Sequence, residues 1–414
     1  MAAVYVYAIA LIILSVDWCM SRIMVFSLAS DLTGGNYRLL RVLEYFPKEE
    51  YIFAMPKDRK KDMLKIIKRY EIGDDIYHIV NNAYELKEFG EGNRMDYIKY
   101  GFYVVEVAKK LGCELVYFPH EHTYLPIGFR LGSMRYKVMW TELLQQTPVL
   151  GSLLKEDGSG FKLLAENLRL HGRSSLKALK GYLRLKVFKY AVGQTPVLAV
   201  SRSIPYELNR LGVNANVKVV EPGNASDKCL FRNLDREYDV GFFARVVPEK
   251  GIFDFINTIK ILKKILPNLK VFISGSIDNK NLEKVVNTLR ALDLSVELRL
   301  NVTREEKFRL LASAKVLLYP TRADAFPTVV LEALSCGTPV VAYAIPAVRF
   351  NFDTPAVLKV EPLNIGGLVQ TTMHILKEGL WEGLENQALN FASMFTWDRV
   401  AQAEWKILTT LAKQ

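Results

Sequence analysis

Cysteine is scarce: four residues in 414, at Cys19, Cys113, Cys229 and Cys336, with no CxxC pair. That excludes a disulfide scaffold, and each thiol reads as a small core hydrophobe in a reducing compartment. Acidic charge is also short, with 44 Asp and Glu against 55 Lys and Arg, a net +11. Residues 151–200 hold 9 of the cations and 3 of the acids, and so supply +6 of that +11. Such a local excess points to an anionic partner: a membrane surface, nucleic acid or a phosphorylated substrate. No aromatic-rich platform or recognised motif accompanies the charge, which disfavours nucleic acid. Long apolar runs are missing too. Met1 to Val16 carries no charged side chain, but Asp17 ends the run short of the ~20 residues that a spanning helix needs. It also lacks the basic segment of a secretory signal. Residues 1–20 therefore read as an apolar extension from upstream of a natural start near Met20, as a short anchor, or as an element packed on the domain.

Familiar catalytic motifs are absent as well. No GxGxxG follows the first strand-like run, which leaves a dinucleotide oxidoreductase little support, and no GxxxxGK[ST] marks a P-loop. GxSxG is missing, and so is Asp-x-Asp, the divalent-metal clamp of many sugar-nucleotide enzymes. Of the five histidines, only His120 and His122 lie close together, and without a nearby third ligand they suit a polar loop better than a metal site.

What is present is an ordinary globular composition, 50% apolar and 24% charged, long enough for two or three domains. Strand-like runs alternate with helical patterns from Arg22 to Ala29 onward: Tyr51 to Ala54, Leu115 to Phe118, Tyr136 to Trp140, Val197 to Val200 and Val217 to Val220. A second series follows at Val240 to Phe243, Val271 to Gly275, Val316 to Tyr319 and Val340 to Tyr343. The alternation predicts α/β architecture, two doubly wound parallel sheets with ligands at the carboxyl ends of their strands. Ala225 to Glu237 reads as the linker.

Three C-terminal segments carry the chemistry. Gly241 to Gly251 runs a strand into a turn that bears Arg245 and Lys250 before a helix start, a place for a diphosphate. Tyr319 to Val340 ends another strand, turns at Asp324, and opens a helix near Pro327, a favoured first helical residue. Glu332 lies inside that helix among apolar neighbours. Phe395 to Ala401 opens the last helix.

These segments resemble the retaining glycosyltransferases of family 4, which have a GT-B fold of two Rossmann-like domains facing each other across a cleft. Asp324 to Val340 matches the family signature, an acid eight residues before a glutamate and then Cys-Gly-x-Pro-Val, although the family usually has Glu where Asp324 stands. Arg245 and Lys250 match its phosphate-binding pair, and Gly34-Gly35 its N-terminal glycine loop. The resemblance implies an extension over residues 1–20 and an acceptor-binding domain over 21–224. A sugar-nucleotide domain would cover 225–392, and a C-terminal helix, 393–414, would cross back to the first domain. It further implies a metal-independent hexosyltransferase taking a UDP- or GDP-linked sugar rather than an ADP-linked one, with no cofactor. The acceptor would be a glycan or a lipid-linked one, and the location cytoplasmic or peripheral on the inner membrane face. Arg245 and Lys250 would neutralise the diphosphate and Glu332 would hold the ribose. Asp324 would contact the donor sugar, or else cap the helix, and Ala325, Phe326, Pro327 and Thr328 would line the donor turn. On the acceptor side, His120, His122 and Glu142 are open candidates for the polar group near the reacting sugar. A sugar-nucleotide epimerase on this fold, or a non-catalytic glycan-binding subunit, is the alternative.

Between Ser174 and Ala191, Leu176, Leu179, Leu183, Val187 and Tyr190 recur at helical spacing among five cations. This stripe is expected to pack on the first domain; the other reading is a basic face docked on anionic lipid.

Overall fold

A computed structural model describes residues 22–31, 34–69, 73–90, 92–149, 152–231 and 234–414. The apolar run over residues 1–16, Asp17, Cys19 and Met20 lie outside them, and so does the reading placed on residues 1–20. The first half contains β1 (Arg22–Phe26), α1 (Gly34–Leu43), β2 (Tyr51–Pro56), α2 (Lys57–Arg69), α3 (Asp74–Asn81), β3 (Tyr84–Leu86), α4 (Arg94–Lys110) and β4 (Cys113–Phe118). It continues through α5 (Leu125–Tyr136), β5 (Met139–Leu144), α6 (Gly160–Leu170), α7 (Ser175–Val192), β6 (Val197–Ala199), α8 (Ser203–Arg210) and β7 (Val217–Val219). The second half holds β8 (Tyr238–Phe243), α9 (Ile252–Ile265), β9 (Val271–Gly275), α10 (Asn279–Ala291), β10 (Glu297–Leu300), α11 (Arg304–Ala312) and β11 (Ala314–Tyr319). It closes with α12 (Thr328–Ser335), β12 (Val340–Tyr343), α13 (Pro346–Asn351), β13 (Val357–Val360), α14 (Ile365–Lys377), α15 (Leu380–Ala392) and α16 (Trp397–Ala412).

Two parallel sheets result, ordered β3-β2-β1-β4-β5-β6-β7 and β10-β9-β8-β11-β12-β13. Helices cover both faces of such sheets, so their central strands read as continuous apolar runs rather than as alternation. The sequences RIMVF in β1 and VVAY in β12 are buried along almost their whole length. Local signals set the helix starts. Thr303 and Glu306 form a capping box ahead of α11, and Asn93 and Asp96 do the same for α4. The strand order reverses between β1 and β4 in the first sheet and between β8 and β11 in the second. Chains leave those adjacent strands in opposite directions, which opens a crevice at each switch point.

The last helix, α16, leaves the second domain and packs on α1, β1 and β4 of the first. There Arg38, buried on α1, pairs with the buried Glu404 of α16 and also donates to the Gly223 carbonyl at 2.8 Å. Tyr117 donates to the second Glu404 oxygen at 2.6 Å.

Three expectations are corrected. Cys229 and Cys336 are joined as a disulfide with Cα atoms 5.2 Å apart, across 107 residues of sequence, while Cys113 is a buried free thiol. The fifth strand runs from Met139 to Leu144, because Tyr136 still belongs to α5 and Lys137 ends that helix in a left-handed conformation. In α7 the buried side is Ala178, Gly181, Leu185 and Phe188, and the expected packing stripe faces out.

Candidate active site

The segments that leave β8 and β11 meet at one carboxylate. Lys250, at the end of the single 3₁₀ turn Pro248–Lys250, donates to Asp324 Oδ2 at 2.7 Å and to the Ala323 carbonyl at 2.9 Å. The Tyr319 hydroxyl donates to the same Oδ2 at 2.8 Å, and the Ala325 amide to Oδ1 at 2.9 Å. Burial, reinforced by the Asp324 charge, holds the Tyr319 phenol well above its ordinary pKa, so it stays a neutral donor. The two turns are also tied by backbone, with the Arg322 amide donating to the Glu249 carbonyl at 3.0 Å. The Arg322 guanidinium forks onto Asp254 of α9 at 3.0 and 2.6 Å, and Tyr343 donates to Asp254 at 3.1 Å. Gly251 makes the close approach possible. Its φ is +77°, and a Cβ there would lie 1.8 Å from the Pro320 carbonyl oxygen.

Asp324 does not cap α12. The N-cap position is Pro327, one residue before the place the sequence suggested for it, and no side chain caps the helix. The Val330 amide turns back onto the Pro327 carbonyl at 3.1 Å, and among the described residues the Thr328 and Val329 amides keep no acceptor, as helix starts do without a cap. Ala325, Phe326 and Pro327 are buried and Thr328 half-buried, so the first three shape the turn by packing. Phe326 lies among Phe352 and Phe395 at 5.7 and 6.2 Å between ring centres. Arg245, leaving β8, is exposed. Further along α12, Glu332 accepts from Lys307 of α11 at 2.5 Å.

The first domain presents the ends of β1 and β4. His120 Nε2 lies 3.2 Å from Ser27 Oγ, and burial together with the Arg38 charge lowers its pKa to about 4. His122 is used structurally. Its Nδ1 accepts the amides of Tyr124 and Leu125 at 3.1 and 3.2 Å at the start of α5, and its ring stacks on Tyr97 at 4.3 Å. Burial lowers its pKa to about 4 as well, which keeps the accepting nitrogen unprotonated. Glu142 was expected beyond its strand but sits inside β5, opposite Phe118, with no exposed surface. Neither of its oxygens accepts a hydrogen bond of normal geometry. Burial and the neighbouring Glu121 raise its pKa well above the carboxylate range, and the His122 amide offsets this only in part. It is a buried acid whose burial favours the protonated form.

The two adjacent glycines differ. A Cβ on Gly34 would meet nothing within 4 Å, whereas one on Gly35 would fall 1.9 Å from Gln145 Oε1. Gln145 is fixed by the Pro119 carbonyl at 2.8 Å and by Glu121, which accepts its amide at 3.0 Å. Gly35 thus lets the loop after β1 close against the end of β5.

The domains meet at the Ala325 carbonyl, which accepts from Asn351 of α13 at 3.0 Å and from Ser203 of α8 at 3.4 Å. Asn351 also donates to Ser201 at 2.9 Å. Lys307, Asn351, Ser203 and Gln145 escape sequence reading because each meets its partner only through the fold, and Tyr319, five residues before Asp324, reads as one more apolar strand residue. Lys307, 25 residues before Glu332, carries no spacing signal. Among the described residues, no group of three or more His, Cys, Asp or Glu is placed to hold a metal ion.

Residues 231–350 match the family model of Glycosyl transferases group 1. Over 340 residues the chain is 24% identical to an uncharacterized glycosyltransferase of Methanocaldococcus jannaschii, covering 81% of this chain and 85% of that one. A sucrose-phosphate synthase from Thermosynechococcus elongatus superposes with a TM-score of 0.70 at 16% identity, over 94% of this chain and 99% of that one. Anabaena HepE in complex with UDP and glucose superposes with a TM-score of 0.65 at 14% identity, over 94% and 100%. The resemblance to group 1 glycosyltransferases read from the sequence holds, and the fold is GT-B.

Proposed function

We propose that this chain transfers a hexosyl unit from a nucleotide-diphosphate sugar to a glycan or lipid-linked acceptor with retention of anomeric configuration. The observation that carries this reading is the Lys250–Asp324 pair, 2.7 Å apart, joining the two switch-point turns beside the uncapped start of α12. Arg245, Lys250 and the α12 amides receive the diphosphate and stabilise the charge that develops as the bond from the anomeric carbon to the phosphate oxygen breaks. Asp324 contacts the donor sugar and Glu332 the ribose. The acceptor oxygen attacks the same face, and its proton passes to the departing phosphate oxygen. His120, neutral at the carboxyl end of β4, lies on the acceptor side. Two protein cations serve the leaving group and the sequence has no Asp-x-Asp, so turnover is expected to persist in EDTA. The HepE complex with UDP and glucose supports a uridine-linked donor. The proposed location is cytoplasmic, peripheral on the inner membrane face where lipid-linked acceptors reside.

The test is donor turnover by Arg245→Ala and Lys250→Ala, with NMR assignment of the product anomer. Each lost charge-assisted contact costs about 1.5–3 kcal/mol, roughly ten- to hundredfold in rate. Near wild-type turnover in both variants would remove the donor site. Stabilisation by a UDP-sugar without transfer to any acceptor would favour the binding-subunit reading.

A further inference from the structure

Helix α7 has two apolar sides, and among the described residues only one of them is packed. Ala178, Gly181, Leu185 and Phe188 are buried against the domain. Leu176, Leu179, Leu183 and Tyr190 are 62%, 48%, 55% and 64% exposed. At 3.6 residues per turn these four fall within an arc of about 60°, on the side opposite the buried set. Helix α5 packs alongside and extends the surface with Leu131 and Met134, both exposed. Arg130 of α5 lies over the Tyr190 ring at 4.9 Å, which joins the two helices at this face. The helix Ser175–Val192 carries Lys177, Lys180, Arg184, Lys186 and Lys189 and no acidic residue, and α5 has none either.

We infer that the α5–α7 face is the surface by which the chain docks on an anionic lipid bilayer, with α7 lying in the interfacial plane. The inference rests on the proposed membrane-bound acceptor only for its purpose; the face is argued from exposure and charge. Leucines ringed by cations match acyl chains beneath anionic headgroups. A second copy of this chain would bring five cations against five across an isologous contact. Nucleic acid would leave the central leucines without a partner. The cations also keep the helix from spanning, and among the described residues no helix is long and apolar enough to cross a membrane.

The test is co-sedimentation of the intact chain with vesicles of mixed phosphatidylglycerol and phosphatidylcholine, and with vesicles of phosphatidylcholine alone. The wild type should pellet with the anionic vesicles and lose that binding in high salt. The double variant Lys180→Glu with Arg184→Glu should lower partitioning by about thirtyfold, and Leu179→Ser with Leu183→Ser, which loses apolar insertion, by at least about tenfold. Circular dichroism and turnover on a soluble acceptor should be unchanged, because none of these residues belongs to the site. No wild-type pelleting, equal pelleting by the variants, or equal binding to neutral vesicles would overturn the inference. So would a wild-type dimer that the leucine variants dissociate. A wild type that transfers sugar but does not bind anionic vesicles would defeat the docking face alone, whereas a wild type that binds the vesicles without transferring sugar would defeat the enzymatic reading alone.

Discussion

Aspartate stands at position 324 where the resembling family usually has glutamate, and its surroundings account for the shorter side chain. Lys250 and Tyr319 already reach Oδ2 at 2.7 and 2.8 Å, so the carboxylate is held at the turn itself. Asp324→Asn would place an amide NH₂ either against these two donors or against the Ala325 amide, which donates to the other oxygen. We expect donor turnover to fall more than tenfold and folding stability by about 1–3 kcal/mol, the cost of leaving such donors without an acceptor; steady-state kinetics and thermal unfolding measure both. Full turnover in this variant would mean that the sugar is contacted elsewhere. His122 makes a prediction about pH. Its folded pKa, about 4, lies below the ordinary histidine value of 6.5, so its share of stability is present above pH 6.5 and is lost as pH falls through 4. Asparagine can offer an oxygen to the same two amides without titrating. His122→Asn should therefore match the wild type at pH 7.5 and lose less stability between pH 6.5 and 4 in parallel melts. An unchanged acid limb would remove the capping role.

At the scale of elements, the site depends on turns that press backbone against backbone. The turn before α9 passes so close to the end of β11 that only glycine fits at position 251. Gly251→Ala adds both a left-handed strain and a clash with a main-chain oxygen, and should cost more than about 2 kcal/mol in denaturant unfolding. Gly34→Ala, at the open start of α1, should be neutral or stabilising by up to about 1 kcal/mol. Equal effects at the two positions would contradict the packing described. The signature segment was legible because its parts are local: strand, turn, helix and Glu332 lie within 20 residues. The β5 boundary was not, because Tyr136 to Trp140 reads as a β-like run although α5 continues through its first residue. That shift moved Glu142 from a crevice candidate to a buried position inside the strand.

Across the whole molecule, the chain's end secures its beginning. Arg38 and Glu404 are almost wholly buried, with side chains 2% and 0% exposed, and they bind α16 to the first domain. Glu404→Ala leaves Arg38 charged and unpaired, and should cost about 3–5 kcal/mol in urea unfolding. Replacing both residues by methionine should recover only part of that loss, since it removes the unpaired charge but leaves the Tyr117 hydroxyl and the Gly223 carbonyl without partners. A small effect of Glu404→Ala would mean that α16 is held chiefly by its apolar face.

Sequence alone determined the α/β alternation, the two parallel sheets and the place of Arg245, Lys250, Asp324 and Glu332, because those depend on apolar runs and turn residues close in the chain. Tertiary structure alone decided what joins distant segments. It paired Cys229 with Cys336 across 107 residues, gave Glu332 to Lys307, and set His120 against Ser27, 93 residues away. It also chose which apolar side of α7 to bury. Periodicity shows that a helix has an apolar side, but α7 has two. The small residues Ala178 and Gly181 let the loop after β5 and helix α6 approach one of them: a Cβ on Gly181 would lie 2.6 Å from the Val149 side chain and 3.7 Å from Leu164. The bulkier leucines were left facing outward.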